Sequence, residues 1–270
     1  MNKRTIVITG ATDGIGKCTA IDLAKNYTGA NIIIHGRNKE KLDAVIAEIK
    51  QVSNNQHIDG FVADLSSLDE VRELAKNILA KYDAIHLLIN NAGAGFAAPR
   101  YGKDGMETTM AVNYFAPFLL TNLLLPAVKK AAPARIVNIA SAGQSAINFD
   151  DIMLKKNFDG VTAYTQSKMA LIMFTIDLAE ELKDAGVTVN SLHPGTYLDT
   201  NMVRAAGIRP HGTVQSGADA EVYLATSAEL NEVTGKYFNV KKQAKALPQA
   251  YDAMARQRLR DITIRICGLE

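Results

Sequence analysis

A tyrosine and a lysine stand four residues apart in the run Tyr164-Thr165-Gln166-Ser167-Lys168, at the start of a segment with helical periodicity. Residues at that spacing lie on one face of a helix, so the phenol and the ammonium can serve a single site. A free tyrosine has a pKa of about 10, and a fixed positive charge beside it favours the phenolate. The pair is therefore a candidate acid–base group, although Tyr-x-x-x-Lys alone also occurs as a surface pair on helices.

A glycine-rich turn provides a second candidate site, for a phosphate group. The run Gly10-Ala11-Thr12-Asp13-Gly14-Ile15-Gly16 follows a short apolar segment and opens a helix-like one. Glycines let the backbone approach a pyrophosphate closely, and the helix N-terminus presents free N–H groups. The spacing is not the generic Gly-x-Gly-x-x-Gly fingerprint, and the Gly-Lys-Ser/Thr ending of a P-loop is absent. We interpret the turn as nucleotide-binding; the alternative is a purely structural turn.

The end of the second predicted strand bears on the choice of nucleotide. The run His35-Gly36-Arg37-Asn38 lies about 20 residues beyond the glycine turn and contains no acidic residue. An Asp or Glu there would bind the ribose 2′-OH of NAD, whereas an arginine can pair with the 2′-phosphate of NADP. We therefore expect NADP(H) rather than NAD(H), with Arg37 at the phosphate; the alternative is a solvated arginine at a strand end.

The elements that must position these groups alternate along the chain. The predicted strands are Thr5–Thr9, Asn31–His35, Phe61–Ala63, Ile85–Asn90, Arg135–Ala140, Val187–Leu192 and Lys236–Val240. The predicted helices are Gly16–Tyr27, Lys39–Val52, Leu68–Tyr82, Val112–Ala131, Thr165–Asp184 and Asp219–Thr226. Alternation of this kind implies right-handed βαβ units, and continuously apolar strands suit a sheet buried on both faces.

The predicted fold is thus a single α/β domain over residues 1–270, with a doubly wound, mainly parallel seven-stranded sheet of the Rossmann type. Two segments interrupt the alternation, 142–163 and 196–217, and we expect both to border the substrate. A basic C-terminal tail, 241–270, carries an apolar stripe at helical spacing and is predicted to pack on the body or on a second subunit.

Several motifs in this order resemble one known family. They are Thr9-Gly10-x-x-x-Gly14-x-Gly16, Asn90-Asn91-Ala92-Gly93, Asn113, Ser141, Tyr164-x-x-x-Lys168 and Pro194-Gly195. Together they closely resemble the short-chain dehydrogenase/reductase family over roughly residues 4–240. Within it, the run Ala163–Lys168, the long insertion before it and the turn His193-Pro194-Gly195-Thr196 look most like the retinol-dehydrogenase-like and protochlorophyllide-reductase-like branch.

The resemblance implies a role for each matching position. Tyr164 would be the general acid in reduction or the base in oxidation, and Ser141 would hydrogen-bond the reacting oxygen. Lys168 would lower the pKa of Tyr164 and hold the nicotinamide ribose, and Asn113 would help to hold a proton-relay water. The cofactor-binding residues implied are Gly10, Thr12, Asp13, Gly14, Ile15, Gly16, Arg37, Asp64, Leu65, Asn91, Ala92, Gly93, Tyr164, Lys168, Pro194, Gly195 and Thr196.

Three of these assignments leave alternatives. Ser141 lies 23 residues before Tyr164, farther than is common in the family, so Ser145 is a substitute candidate. The nicotinamide carboxamide could be met by Thr196 or by Thr200. Asp64, the candidate for the adenine, could instead cap the helix predicted to begin at Leu68.

Composition excludes several other classes. With 30 Lys and Arg against 28 Asp and Glu, the net charge of +2 gives no concentrated basic surface, so no nucleic-acid partner is expected. The five histidines are scattered, which excludes an obvious metal site. The longest apolar tract, Tyr114–Val128, is shorter than the roughly 20 residues that span a bilayer. We therefore expect a cytoplasmic protein without a membrane partner, and two reduced cysteines, Cys18 and Cys267.

The function predicted on these grounds is an NADP(H)-dependent oxidoreductase that interconverts a carbonyl and an alcohol on a small or medium lipophilic substrate. One alternative of the same class is reduction of a C=C bond or a ring. An alternative of a different class is a cofactor-sensing protein without turnover, against which the complete set Asn113, Ser141, Tyr164 and Lys168 argues. Because the family often pairs the two most apolar helices between subunits, a homodimer or homotetramer is expected.

Overall fold

The computed structural model describes residues 3–269, and its centre is one sheet in the order β3-β2-β1-β4-β5-β6-β7-β8. The strands are β1 (Thr5–Ile8), β2 (Asn31–Gly36), β3 (Ile58–Val62), β4 (Leu87–Asn90), β5 (Ala134–Ile139), β6 (Val187–His193), β7 (Tyr237–Asn239) and β8 (Lys242–Ala244). The helices are α1 (Gly14–Asn26), α2 (Lys39–Ser53), α3 (Leu68–Leu79), α4 (Thr108–Met110), α5 (Ala116–Lys130), α6 (Gly160–Glu181), α7 (Asn201–Ala205), α8 (Val214–Thr226) and α9 (Ala253–Cys267).

The predicted doubly wound α/β fold is confirmed, with one strand more than expected. Strands β1 to β7 run parallel, and β8 pairs antiparallel with β7 through Asn239 and Lys242. The connecting turn is tight, with Val240 at a φ of 56°. The eighth strand was not predicted because Lys-Gln-Ala at a sheet edge has none of the β-branched residues that are typical of strands.

Helices cover both faces of the sheet, and the residues of β1 alternate between the two cores. Ile6 and Ile8 pack with α1, α2 and α8 on one face, whereas Val7 packs with α3, α5 and α6 on the other. All three side chains are fully buried. Strands buried on both faces carry no polar alternation, which is why they were recognisable as continuous apolar runs.

The parallel strands end at a common edge, and the candidate site residues lie in the segments that leave it. The glycine turn follows β1, Arg37 follows β2, Asn91 follows β4, Ser141 follows β5 and Pro194 follows β6. Open α/β sheets bind ligands at this carboxyl edge, where the strand order changes direction between β1 and β4. The fold therefore brings segments far apart in sequence to one crevice.

The C-terminal tail forms α9, which packs against α6 and the helical segment that precedes α5. The Tyr114 hydroxyl bonds the Thr263 hydroxyl at 2.8 Å, and the Arg256 guanidinium pairs with Asp177 at 2.5 Å. The predicted apolar stripe is only partly right, because Met254 is 83% exposed while the buried face includes Arg256. Helix α9 covers part of the face of α6 on which a second subunit was expected. The predicted homo-oligomer stays a prediction.

Helix Thr108–Lys130 has the length and hydropathy of a membrane-spanning segment. However, 83% of its apolar window is buried inside the fold, so the helix is part of the core. The two cysteines, Cys18 and Cys267, are both free thiols.

Candidate active site

The glycine turn is shaped by close approach of the loop after β4. Gly10 has a φ of 65°, and a Cβ there would lie 2.7 Å from the Ala92 Cα. A Cβ at Gly16 would overlap the Asn91 amide nitrogen, which donates to the carbonyls of Thr9 at 2.8 Å and Gly10 at 3.0 Å. The missing side chains thus let the two segments interlock, and the N-terminus of α1 is left facing the crevice.

A buried histidine supports this turn from β2. The Gly10 N–H donates to His35 Nδ1 at 3.2 Å, and His35 Nε2 lies 3.0 Å from the Ala63 carbonyl. A ring that accepts at Nδ1 and donates at Nε2 is a neutral imidazole. Burial lowers the pKa of His35, in agreement with that state. The sequence predicts His35 only as the end of the second strand; its support of the turn depends on the pairing of β1 with β2, which sequence spacing does not reveal.

Tyr164 and Ser141 meet at the start of α6. The Ser141 side chain neighbours the Tyr164 phenol, and its hydroxyl oxygen accepts the Gly143 N–H at 3.0 Å. Burial raises the pKa of Tyr164 and the neighbouring Ser141 hydroxyl offsets this only partly, so the neutral phenol is favoured. A neutral phenol is the form that can give a proton to a carbonyl oxygen. Among the effects on the Tyr164 pKa, burial and Ser141 act, whereas the lowering expected from Lys168 is not found.

Lys168 lies one helical turn beyond Tyr164 and is 3% exposed. Its ammonium donates to the Ile139 carbonyl at the end of β5 at 2.7 Å and lies 5.7 Å from the centroid of the Tyr164 ring. A Cβ built on Gly93 would be 3.5 Å from the ammonium, so the loop after β4 passes directly beside it. The lysine therefore stands between the phenol and the segment expected to hold a nucleotide ribose.

Asn113 joins the loop after β4 to α6. Its amide nitrogen donates to the Ala94 carbonyl and to the Ser167 hydroxyl, both at 2.9 Å, and its oxygen accepts the Ala94 N–H at 2.7 Å. The residue lies in a π-helical turn, Ala111–Phe115, between α4 and α5. Such turns are rare and concentrate at functional sites. Both amide N–H groups are thus engaged within the protein, so the side chain ties the loop after β4 to α6.

Of the two candidate serines, Ser141 is the one beside the phenol. The Ser145 hydroxyl bonds the Thr165 hydroxyl at 2.7 Å.

The two candidate threonines lie in different places. Thr196 bonds His193 at 3.0 Å, whereas the Thr200 methyl lies 3.6 Å from a Cβ built on Gly14, beside the glycine turn.

The remaining predicted cofactor residues line the same crevice or pack beneath it. Arg37 is exposed at the end of β2, and the Thr12 methyl fills the space left by Gly36. The Asp64 carboxylate accepts the Ser66 N–H at 2.9 Å, so it shapes the turn before α3 and does not cap that helix; the Leu68 N–H is accepted by Asp104 instead. Leu65 is 3% exposed and belongs to the core. The side chain of Ile15 lies within contact distance of a Cβ built on Gly217, while Pro194 and Gly195 follow β6 at the crevice.

The glycine turn is also tied to the segment after β6. Asp13 caps α1 by accepting the Gly14 N–H at 2.7 Å, and its other oxygen pairs with Lys41 at 2.7 Å. The Asn201 amide donates to that same oxygen. The predicted substrate segment 196–217 therefore lies across the nucleotide side of the crevice, where the bond between Asn201 and Asp13 holds it.

Strand β7 and the C-terminal tail both brace the segment that carries Ser141. The Tyr237 hydroxyl donates to the Ser141 carbonyl at 3.2 Å, and the Leu247 N–H donates to Gln144 at 3.0 Å. The Gln249 side chain accepts the Ile147 N–H at 2.6 Å. These contacts join residues about 100 positions apart, and no local sequence pattern indicates such pairs, so the bracing was not predicted.

No cluster of three or more His, Cys, Asp and Glu side chains able to hold a metal ion occurs within residues 3–269. The groups that the structure brings together at the crevice are the Tyr164 phenol, the Ser141 hydroxyl and the Lys168 ammonium.

Comparison with known proteins agrees with this geometry. The model of the short chain dehydrogenase family matches residues 4–209. Retinol dehydrogenase 13 of Homo sapiens is 38% identical, over 99% of this chain and 85% of the human protein. Among solved structures, an uncharacterized protein from Mycobacterium paratuberculosis has a TM-score of 0.81 at 26% identity, covering 98% of this chain and 93% of that one. The NADP complex of Pseudomonas aeruginosa RhlG has a TM-score of 0.71 at 28% identity, covering 88% and 94%.

Proposed function

Because the chain belongs to the short-chain dehydrogenase family and is an oxidoreductase, we propose that it interconverts a carbonyl and an alcohol on a lipophilic substrate with NADP(H). The observation that carries this proposal is the group formed by the half-buried Tyr164 and the buried Ser141 and Lys168 beside the loop after β4. A sensor without turnover needs cofactor contacts only and has no use for a phenol placed beside a serine and a buried lysine.

The protein's own residues supply the acid–base part of the reaction. In reduction, Tyr164 gives its proton to the carbonyl oxygen, and the Ser141 hydroxyl hydrogen-bonds that oxygen as negative charge develops on it. In oxidation, the same phenol oxygen takes up the alcohol proton. Lys168 stabilises the phenolate that remains after the proton has left. The nicotinamide, when bound, supplies or accepts the hydride.

The crevice fits a dinucleotide. The close packing at Gly10 and Gly16 holds the turn against the loop after β4 and points the N-terminus of α1 into the crevice, where it can bind a pyrophosphate. Asn91 and Gly93 border the ribose side of the crevice, with Lys168 next to them. The exposed guanidinium of Arg37 favours the 2′-phosphate of NADP(H). The NADP named with the Pseudomonas aeruginosa structure supports the same choice.

An apolar substrate is supported by the segment after β6. Tyr197, Met202 and Ile208 are 44%, 38% and 36% exposed, which is unusual for large apolar side chains grouped in one segment. The Met202 methyl lies 3.8 Å from a Cβ built on Gly93, so the segment reaches the reacting centre. In the other predicted substrate segment, 142–163, Phe149 and Met153 are partly buried and pack against the core. The relatives named retinol dehydrogenases make a lipophilic primary alcohol or its aldehyde the first class to test.

The test is NADPH-dependent reduction of a series of aldehydes of increasing apolar length, with the matching alcohols and NADP⁺ for the reverse direction. We expect kcat/KM to rise with apolar length and to be higher with NADPH than with NADH. The variant Arg37→Ala should weaken NADPH binding about 10- to 100-fold, because it removes a charge-assisted hydrogen bond, and leave NADH binding unchanged. Equal binding of both cofactors by the unaltered protein would contradict the role of Arg37. Full activity on short polar aldehydes alone would contradict the substrate class.

A further inference from the structure

The carbonyl of Ser141 is bound by two side chains that the proposed mechanism does not use. The Tyr237 hydroxyl donates to this carbonyl at 3.2 Å, and the side-chain amide of Gln144 donates to it at 3.1 Å. A carbonyl oxygen has two lone pairs, so both are engaged. Ser141 and Tyr237 are both buried. The loop after β5 is therefore fixed at the peptide that carries the candidate catalytic serine.

Tyr237 is a permanent donor in this arrangement. Its side chain extends from β7, which lies between β6 and β8 in the sheet. Burial raises the pKa of its phenol above the ordinary value of about 10, so the hydroxyl keeps its proton at neutral and moderately alkaline pH. Tyr237 also lies beyond residue 209, where the match to the family model ends. The contact with Ser141 thus comes from a part of the chain outside that match.

The Gln144 amide is held between Ser141 and the C-terminal tail. Its oxygen accepts the Leu247 N–H at 3.0 Å. Because a backbone N–H donates and does not accept, this bond determines which end of the amide carries the oxygen. The NH₂ end then faces the Ser141 carbonyl, as the contact at 3.1 Å requires. A residue of the tail therefore orients the second donor to the serine.

The Ser141 hydroxyl is itself oriented by a third bond. Its oxygen accepts the Gly143 N–H at 3.0 Å. This bond uses a lone pair of the oxygen and not the hydrogen, so the hydroxyl can still donate to a reacting oxygen. A Cβ built on Gly143 would lie 3.5 Å from the Ser141 hydroxyl oxygen and 3.4 Å from the Thr165 methyl. The hydroxyl is thus held against the first turn of α6, which carries Tyr164.

We propose that Tyr237 and Gln144 are positioning residues for the Ser141 hydroxyl: they fix the serine peptide so that the hydroxyl lies at the start of α6 with its hydrogen free for the reacting oxygen. The inference rests on the proposed function, in which this hydrogen bond strengthens as negative charge develops on that oxygen. Catalytic groups have to be held within about 0.5 Å of the productive geometry by the residues around them. Loss of either donor should therefore slow the chemical step and leave the binding of substrate and cofactor largely unaltered.

A purely structural role for these bonds predicts a different pattern. Loss of the Tyr237 hydroxyl would then lower the stability of the fold and leave the rate per folded molecule unaltered. If the loss disturbed the site in a general way, the rate would fall by the same factor with or without the serine hydroxyl. The roles are therefore separated by combining each change with Ser141→Ala, since only residues that act through one group fail to be additive.

The test is single-turnover reduction of a lipophilic aldehyde by bound NADPH in the full chain, with the variants Tyr237→Phe and Gln144→Ala. We expect each change to lower the rate constant about three- to tenfold, with the NADPH Kd altered by less than about twofold. In Ser141→Ala, neither change should lower the rate further. Tyr82→Phe is the matched control, because the Tyr82 hydroxyl donates at 2.8 Å to Asp59 of β3, at the opposite edge of the sheet. This control should leave the rate constant unaltered.

Hydrogen–deuterium exchange provides a readout that needs no turnover. The peptide that covers residues 141–149 contains the Gly143 N–H, which is bonded to the Ser141 hydroxyl. If Tyr237 holds this loop in place, the peptide should exchange about threefold faster in Tyr237→Phe than in the unaltered protein. In Tyr82→Phe the exchange of the same peptide should be unaltered.

The outcomes separate this inference from the proposed function. An unaltered rate constant in Tyr237→Phe would overturn the inference, and so would a loss of rate that is equally large in the Ser141→Ala background. Unaltered exchange of peptide 141–149 would overturn it as well. If the exchange is faster while the unaltered protein reduces none of the aldehydes, the proposed function fails and the support of the loop by Tyr237 stands.

Discussion

The variant Gly16→Ala tests how the glycine turn is built. The added methyl would overlap the Asn91 amide nitrogen and lie 2.7 Å from the Gly10 carbonyl oxygen. The Asn91 side chain must then give up its bonds to the Thr9 and Gly10 carbonyls. Gly16 is in the first turn of α1 and has an ordinary φ, so the effect comes from this overlap and not from backbone strain.

The magnitude follows from these contacts. Two hydrogen bonds at a net ~1 kcal/mol each are lost, and the better helix propensity of alanine returns about 1 kcal/mol. Unfolding free energy should therefore fall by about 1 kcal/mol, which corresponds to roughly 2–4 °C in Tm for a chain of this size. Since the shifted segment is the one that shapes the pyrophosphate site, NADPH binding should weaken about tenfold, or ~1.4 kcal/mol.

The assay is thermal unfolding together with a fluorescence titration by NADPH. Gly29→Ala is the matched control, because a Cβ there meets no atom within 4 Å, and we expect it to alter neither quantity measurably. A Gly16→Ala protein that melts and binds NADPH like the unaltered chain would refute the interlocking of the turn with Asn91.

Three further predictions concern separate parts of the molecule. Ser141→Ala should lower kcat at least about tenfold by removing a donor to the reacting oxygen, whereas Ser145→Ala should leave kcat within twofold; the reverse order would reassign the serine. Because burial lowers the pKa of His35, stability present above about pH 6.5 is lost as the pH falls. His35→Gln should therefore flatten the acid side of the urea-unfolding profile by up to about 1.4 kcal/mol per pH unit, and parallel profiles would contradict this. Arg256→Ala leaves Asp177 unpaired and should lower the unfolding free energy, measured in urea, by about 3 kcal/mol. An unchanged unfolding free energy would mean that the packing of α9 does not stabilise the fold.

Most of the sheet could be predicted from the sequence because its strands are buried on both faces. Strands β1 and β2 contain the continuous apolar runs Ile6–Ile8 and Ile32–Ile34, each followed by a glycine, and alternation with helices implies parallel neighbours. The extra strand β8 could not be found this way, since its residues are polar and its pairing is fixed by the hairpin turn at Val240. The buried Arg256 was missed for a similar reason, since a charged residue in an amphipathic helix is expected to face solvent.

The residues of the candidate site likewise include some that the sequence predicts and others that it does not. Tyr164, Lys168 and the glycine turn were predictable because their chemistry depends on spacing within one segment. The choice between Ser141 and Ser145 required the path of a long loop, which is fixed by contacts with Tyr237 and the tail. His35 and Tyr237 were not recognised because a lone histidine or tyrosine carries no local signal, and their burial results from tertiary packing.

The role of Tyr164 as the proton donor is tested by comparing the unaltered protein with Tyr164→Phe in single-turnover reduction of a lipophilic aldehyde by bound NADPH. Both proteins should bind NADPH with the same affinity, and the variant should reduce the aldehyde at least about a hundredfold more slowly, because the proton donor is gone. Equal single-turnover rates in the two proteins would contradict the assignment of Tyr164 as the acid. Binding of NADPH without turnover in either protein would favour a cofactor sensor over an enzyme.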